Sequence, residues 1–170
     1  MNFLYRILLT INATSWMVII YAIKEGWTVG QVPQLLFGLT LLFIPIILSL
    51  FSIFVAGFLS KDTLQECEEY SLADNEFLPT YLGYFFLSTG ISENITMIVV
   101  YIIIFIFTYL SQTQYFNPMY LLFGYHYYHI LTPRGTRVFV IARGKVIRSK
   151  DNISFKHLRR INDTTYIERS

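Results

Sequence analysis

One stretch, Tyr115-Phe-Asn-Pro-Met-Tyr-Leu-Leu-Phe-Gly-Tyr-His-Tyr-Tyr128, separates two chemically different parts of the chain, and we name it the aromatic junction. Residues 94–133 contain no Asp, Glu, Lys or Arg, and seven aromatic rings fall within the junction. Tyrosine collects at the level of lipid headgroups. Pro118 lacks an amide N–H and disfavours helical angles at Asn117. We therefore predict that a membrane helix stops or bends here and that a small aqueous domain follows.

The composition indicates an integral membrane protein with one basic end. Of the 170 residues, 54% are hydrophobic and 18% aromatic, with a mean hydropathy of +0.49. Residues 1–131 hold 3 basic and 8 acidic side chains, a net charge of −5, whereas residues 132–170 hold 10 basic and 3 acidic, a net charge of +7. We therefore predict a transmembrane helical domain over 1–117 and a basic, β-rich cytoplasmic domain over 118–170.

The apolar runs predict a mainly α-helical membrane bundle of four spans. A span needs about 20 apolar residues, and the runs lie at 3–23, 34–59, 77–92 and 95–116. The third run is short, so it either crosses the membrane or is re-entrant, and three spans are the alternative. Ten Lys or Arg in the last 39 residues place the C-terminus in the cytoplasm. Arg6 favours the same side for the N-terminus, which requires an even number of spans.

Several positions inside these runs carry structural predictions. Pro45 is the predicted bend of the second span, and Asn12 is predicted to hydrogen-bond to a neighbouring helix. Ser52, Ala56 and Ser60 recur every four residues. Such a face permits close approach between membrane helices, either within one protomer or between copies.

The segment from Lys61 to Glu76 carries six acidic side chains against one lysine. Its simplest interpretation is a solvated loop. The alternative is a docking surface for a basic partner or for the basic tail of the same chain.

The part after the aromatic junction is predicted to form β-strands. β-Branched and aromatic residues over 125–132 and 136–143 flank the turn residues Pro133-Arg-Gly135, which predicts a β-hairpin. Further predictions are a third strand over 144–148, a short helix over 155–161 capped by Ser154, and a last strand over 165–168.

The sequence contains no recognisable catalytic or metal-binding set. Cys67 is the only cysteine, and His126 and His129 would point to opposite faces of one strand. We therefore expect no enzyme activity, no metal and no cofactor. The basic residues after the junction are predicted to contact anionic lipid, an acidic partner or, weakly, nucleic acid phosphates. They are Arg134, Arg137, Arg143, Lys145, Arg148, Lys150, Lys156, Arg159 and Arg160.

Three motifs resemble a known bacterial family. They are Pro79-Thr-Tyr-Leu-Gly-Tyr-Phe-Phe86, Phe116-Asn-Pro-Met-Tyr-Leu-Leu-Phe-Gly-Tyr125 followed by Tyr128, and Arg159-Arg-Ile-Asn-Asp163. In these the chain resembles the KwaA family, the membrane component of the Kiwa anti-phage defence system. The resemblance implies an inner-membrane sensor subunit that forms a homo-oligomer, a tetramer, and has no catalytic residues. It also implies that a KwaB-like cytosolic effector binds the subunit and alone contacts phage DNA.

Under this resemblance we expect a population shift between two packings of the helix bundle, biased by the disturbance that a phage causes at the membrane. Pro45, Asn117 and Pro118 are the expected hinge positions. Two other classes remain open from the sequence. A bacteriocin immunity protein would protect against one toxin without a cytosolic partner, and an oligomeric pore would conduct ions through polar span residues such as Asn12.

Overall fold

The computed structural model describes residues 2–64, 67–111, 115–144 and 155–169. Two compact units divide the chain. The first, which we name the sheet unit, comprises Met1–Tyr5, Ser52–Glu76 and Pro118–Ser170. The second, the helical unit, comprises Arg6–Phe51 and Phe77–Asn117.

Six helices are present in the described residues, and three stretches of them are long and apolar enough to cross a membrane. These stretches are Phe3–Lys24, Gln34–Ala56 and Asn94–Ser111. The third predicted span, at 77–92, is a helix of 13 residues, about 20 Å long, and falls short of that length. The helices are α1 (Asn2–Lys24), α2 (Gln34–Leu41), α3 (Phe43–Ala56), α4 (Leu78–Gly90), α5 (Asn94–Ser111) and α6 (Pro118–Leu122).

The second predicted span is interrupted and shorter than expected. The break lies at Leu42, between α2 and α3, and its N–H donates to Leu39 O at 3.3 Å. Pro45 follows within the first turn of α3, where its missing N–H leaves the Leu41 carbonyl without the usual helical donor. The prediction that this helix continues to residue 59 is wrong, because α3 ends at Ala56. The N–H groups of residues 57–59 instead donate to the carbonyls three residues earlier, as in a tight turn.

The last predicted span also ends early. Its helix, α5, stops at Ser111 rather than at residue 116. Residues 112–114 lie outside the described part of the chain. Pro118 begins the short helix α6, a position where the absent N–H costs no hydrogen bond.

Within the helical unit, α1 is the most buried candidate span. It runs antiparallel to α5, since Arg6 donates to Tyr109 O at one end and Tyr21 donates to Asn94 at the other. It runs parallel to α4, because Ser88 donates to Met17 O and Lys24 donates to Ile91 O. The core between these helices contains Met17, Tyr21, Tyr84 and Met97.

The sheet unit contains one six-stranded sheet in the order β1-β5-β6-β4-β3-β2. β4 and β6 are parallel, and the other neighbouring pairs are antiparallel. The strands are β1 (Lys61–Leu64), β2 (Glu69–Leu72), β3 (Tyr125–Leu131), β4 (Arg137–Arg143), β5 (Phe155–Arg160) and β6 (Thr165–Glu168). The hairpin β3–β4 and the last strand confirm the prediction.

Chain connectivity requires this sheet to curl. β1 and β2 form opposite edges, yet only five residue steps lead from Leu64 to Glu69. Five steps reach about 17 Å, whereas the edges of a flat six-stranded sheet lie about 24 Å apart. Accordingly, Leu64 and Tyr70 from the two edges pack against the same core, which includes Tyr128, Val140 and Leu158.

Two sequence predictions are wrong within the sheet unit. The expected solvated loop over Lys61–Glu76 contains the edge strands β1 and β2. The expected helix over 155–161 is strand β5, although Phe155 and Leu158 are spaced three apart as on a helix face. A register shift against β1 explains this, because Asp62 faces Leu158 and Leu64 faces Phe155. The extra residue in β5 allows both side chains to enter the core.

Most of the third predicted strand, over 144–148, lies outside the described residues.

Candidate coupling site at the end of α3

The C-terminal end of α3 is enclosed by the sheet unit. Ala56 and Leu59 are both buried there, 1% and 2% exposed. The last four carbonyls of a helix have no partners within that helix, and a buried helix end therefore needs other donors. The backbone N–H groups of residues 57–59 donate to the last three of these carbonyls. Arg169 adds a donor to one of them, and β5 supplies donors to the segment that follows α3.

Arg169 caps α3. Its Nη1 donates to Phe54 O at 3.1 Å, and its backbone N–H donates to His157 O at 2.9 Å. A Cβ on residue 57 would overlap the Arg169 guanidinium, so this arginine can occupy its position only because residue 57 is glycine. A cation at a helix C-terminus also interacts favourably with the helix dipole. Gly57 and Arg169 were not among the residues that the sequence indicated.

Two arginines of β5 hold the segment that follows α3. Arg159 Nη1 donates to Leu59 O at 3.0 Å, and the Arg160 backbone N–H donates to Ser60 O at 2.9 Å. The Arg160 side chain is exposed and pairs with Asp163. The Arg159 guanidinium therefore makes a hydrogen bond within the protein, whereas the Arg160 side chain remains accessible to solvent.

The aromatic junction is joined to α3 by a buried hydroxyl pair. Ser52 Oγ and Tyr120 Oη lie 2.6 Å apart, and both residues are fully buried. Burial raises the pKa of Tyr120 to about 12, so the phenol keeps its proton at neutral pH. The Tyr120 ring packs against Tyr125, the first residue of β3, with 5.9 Å between ring centroids.

The predicted small-residue face does not continue along one helix. Ser52 and Ala56 are buried within the sheet unit, but Ser60 lies beyond the end of α3 and is exposed. The three residues therefore do not form one helix surface, because the helix turns that would align Ser60 are absent.

The described arginines of the predicted basic set fall at separate places. Arg134 and Arg137 are exposed at the turn end of the β3–β4 hairpin. Arg143 is exposed at the other end of β4, about 20 Å away, and its N–H donates to Glu168 Oε2 at 3.2 Å. Burial raises the pKa of the Glu168 carboxyl. Lys145, Arg148, Lys150 and the side chain of Lys156 lie outside the described part.

The end of the acidic segment pairs with histidines of the same unit. His126 Nδ1 lies 2.7 Å from Asp74 Oδ2, and His129 Nε2 lies 3.0 Å from Glu76. Asp74 also accepts the Tyr127 N–H at 2.8 Å. The two histidines take different partners, as expected for opposite faces of one strand. No group of three metal-binding side chains occurs in the described residues.

Comparison with known proteins supports a defence role. A family model described as anti-phage protein KwaA matches residues 5–167, nearly the whole chain. No curated protein matches the chain, and no solved structure matches it.

Proposed function

The chain belongs to the KwaA family of anti-phage proteins, and from this premise we propose that it is the sensor and anchor subunit of a defence complex in the bacterial inner membrane. Phage infection disturbs the membrane around the helical unit, and the sheet unit recruits or regulates a cytosolic DNA-binding effector. The observation that carries this proposal is the set of hydrogen bonds from arginines to the C-terminal end of α3 and the segment that follows it. The sheet unit holds the end of a candidate span through Arg169 and Arg159.

Four crossings place both termini in the cytoplasm. The geometry of α4 supports this number, because α4 lies along α5 for most of its length. Tyr84 Oη lies 3.1 Å from Thr108 Oγ1, and the α4 C-terminus reaches the Lys24 end of α1. A helix of about 20 Å is short for a hydrocarbon layer of about 30 Å, and local thinning of the bilayer accommodates such a mismatch.

The proposed mechanism is a shift between two packings of α3. A movement of α3 along its axis would separate Phe54 O from Arg169 and Leu59 O from Arg159. Because Arg169 and Arg159 belong to the β6 end and to β5, such a movement changes the sheet. Membrane disturbance must favour one packing more than the other for this shift to occur.

The effector is proposed to bind the exposed basic side chains of the sheet unit, among which the structure describes Arg134, Arg137, Arg143 and Arg160. Self-association, as a tetramer, is part of the proposal because α3 and α5 expose many large apolar side chains. Nucleic acid is contacted only by the effector.

Gly57→Ala tests the coupling. The added methyl group displaces the Arg169 guanidinium, so we expect protection against phage to fall while membrane expression stays unchanged. Gly90→Ala is the matched control, because a Cβ at that helical position meets nothing within 4 Å. Full protection by Gly57→Ala would reject coupling through this site.

A pull-down tests the partner. The detergent-solubilised protein from its native host should recover a soluble protein in stoichiometric amounts, identified by mass spectrometry. Arg134→Glu combined with Arg137→Glu should reduce that recovery, because the charge that attracts an acidic surface is reversed. Recovery of the chain alone would contradict effector binding.

A further inference from the structure

A groove runs along the helical unit between α4 and α5. Its volume is about 220 Å³, and Leu87, Ile104 and Phe107 make its walls mostly apolar. Sites for drug-sized molecules usually measure about 300–1,000 Å³, so this groove suits a smaller or slimmer ligand. The groove borders the core of the helical unit, because Tyr84 belongs to both, and it contains no residue of the coupling site.

Residue 83 lines the groove as a glycine and places no side chain in it. Gly83 lies inside α4 and is not among the glycines with positive φ, and an added Cβ would meet nothing within 4 Å. A glycine inside a helix costs about 1 kcal/mol relative to alanine. Neither the backbone conformation nor packing among the described residues accounts for this glycine. Its effect is to keep the groove clear.

The two ends of the groove differ in polarity. Thr80 in the first turn of α4 and Ser111 at the end of α5 place hydroxyl groups at one end. Leu87 and Ile104 line the other end. In a membrane-spanning α5, the terminal residue would lie where hydrocarbon gives way to headgroups. The polarity of the groove therefore follows that of one lipid molecule.

We propose that this groove holds one acyl chain of a membrane phospholipid, with the ester and headgroup beside Thr80 and Ser111. A helix of a second copy is a poorer fit, since a helix with side chains is about 10 Å wide. Phe107 in the groove wall is 61% exposed, and Phe86, one turn from Gly83, is 66% exposed. This proposed lipid site between α4 and α5 does not depend on the proposed role in defence.

Lipid binding to the purified full chain tests the proposal. The protein in mild detergent is titrated with dioleoyl phosphatidylethanolamine, and the bound lipid is counted by native mass spectrometry. Gly83→Leu fills the groove, and we expect affinity for the first lipid to fall about tenfold, which corresponds to about 1.4 kcal/mol. Gly83→Ala fills less of the groove and should give a smaller loss.

Gly90→Leu is the matched control, because it makes the same change in the same helix at a position that does not line the groove. It should bind lipid as the wild type does. Wild-type affinity in Gly83→Leu would overturn the proposal. A lower oligomer mass with unchanged lipid affinity would also overturn it and would assign the groove to a second copy. Leucine and alanine both have a higher helix propensity than glycine. If Gly83→Leu impairs folding, Gly83→Ala still tests the groove.

Discussion

Asn12 and Asn117 donate their side-chain amides to the same oxygen, Ser49 Oγ, at 2.9 and 3.1 Å. All three residues are buried in the helical unit, and Asn12 lies at the middle of a candidate span. The bond from Asn12 to α3 confirms the predicted contact with a neighbouring helix. Through Ser49, the residue before Pro118 is tied to the interior of the bundle.

Ser49→Ala should destabilise the helical unit more than Asn12→Leu does. The first change leaves two buried amides without this acceptor, at a cost of about 1–2 kcal/mol, whereas the second removes one donor together with its desolvation cost. Thermal unfolding in detergent measures the difference. Thr89→Ala, at an exposed α4 position, is the control and should change little. The opposite ranking would show that Ser49 is not the shared acceptor.

Pro118→Ala should uncouple sensing from defence while leaving expression intact. Alanine supplies a backbone N–H and removes the restriction on Asn117, so a helix can continue through the junction. Phage plating efficiency and the level of protein in membranes are the measurements. Unchanged protection would count against a hinge at Asn117 and Pro118.

Arg169→Ala should cost about 1 kcal/mol in stability, because it removes a charged donor at the end of α3. The double variant Gly57→Ala with Arg169→Ala should be no less stable than Arg169→Ala alone, since the overlapping group is gone. Additive losses in chemical denaturation would show that the two residues do not compete for one space.

Glu168→Gln should reduce the pH dependence of stability. Burial raises the folded pKa of Glu168 above its unfolded value. A raised carboxyl pKa contributes stability below the unfolded pKa that is lost as pH rises through the folded pKa. The wild type should therefore lose stability over that mildly acidic window as pH rises, and the variant should lose less. Parallel unfolding curves for both proteins would contradict this.

Cysteine labelling in intact cells distinguishes four crossings from three. In a Cys67→Ser background, Val29→Cys and Glu93→Cys should both react with a membrane-impermeant maleimide, and Asp163→Cys should not. These positions lie after α1, between α4 and α5, and after β5. If α4 is re-entrant, residue 93 lies on the side opposite to residue 29 and only one of the two reacts.

Local patterns were sufficient for the elements whose formation depends on neighbouring residues. The apolar runs predicted the helices, and alternation around Pro133-Arg-Gly135 predicted the hairpin β3–β4. The aromatic junction indicated where the C-terminal part of the sheet unit begins. This could be recognised because the effects of a proline and of clustered tyrosines are local. The motifs near residues 79, 116 and 159 were enough to indicate the family, which the match over residues 5–167 confirms.

Only the tertiary structure decided which distant residues meet. β1 and β2 are edge strands because β5 and β3 pair with them, and no local signal in the acidic segment specifies such partners. Phe155 and Leu158 have the spacing of a helix face, but they lie in a strand whose bulge allows both side chains to face the core. Arg169 can lie against the end of α3 only because residue 57 is glycine. Contacts between residues this far apart depend on the closure of the whole sheet, which no short stretch of sequence encodes.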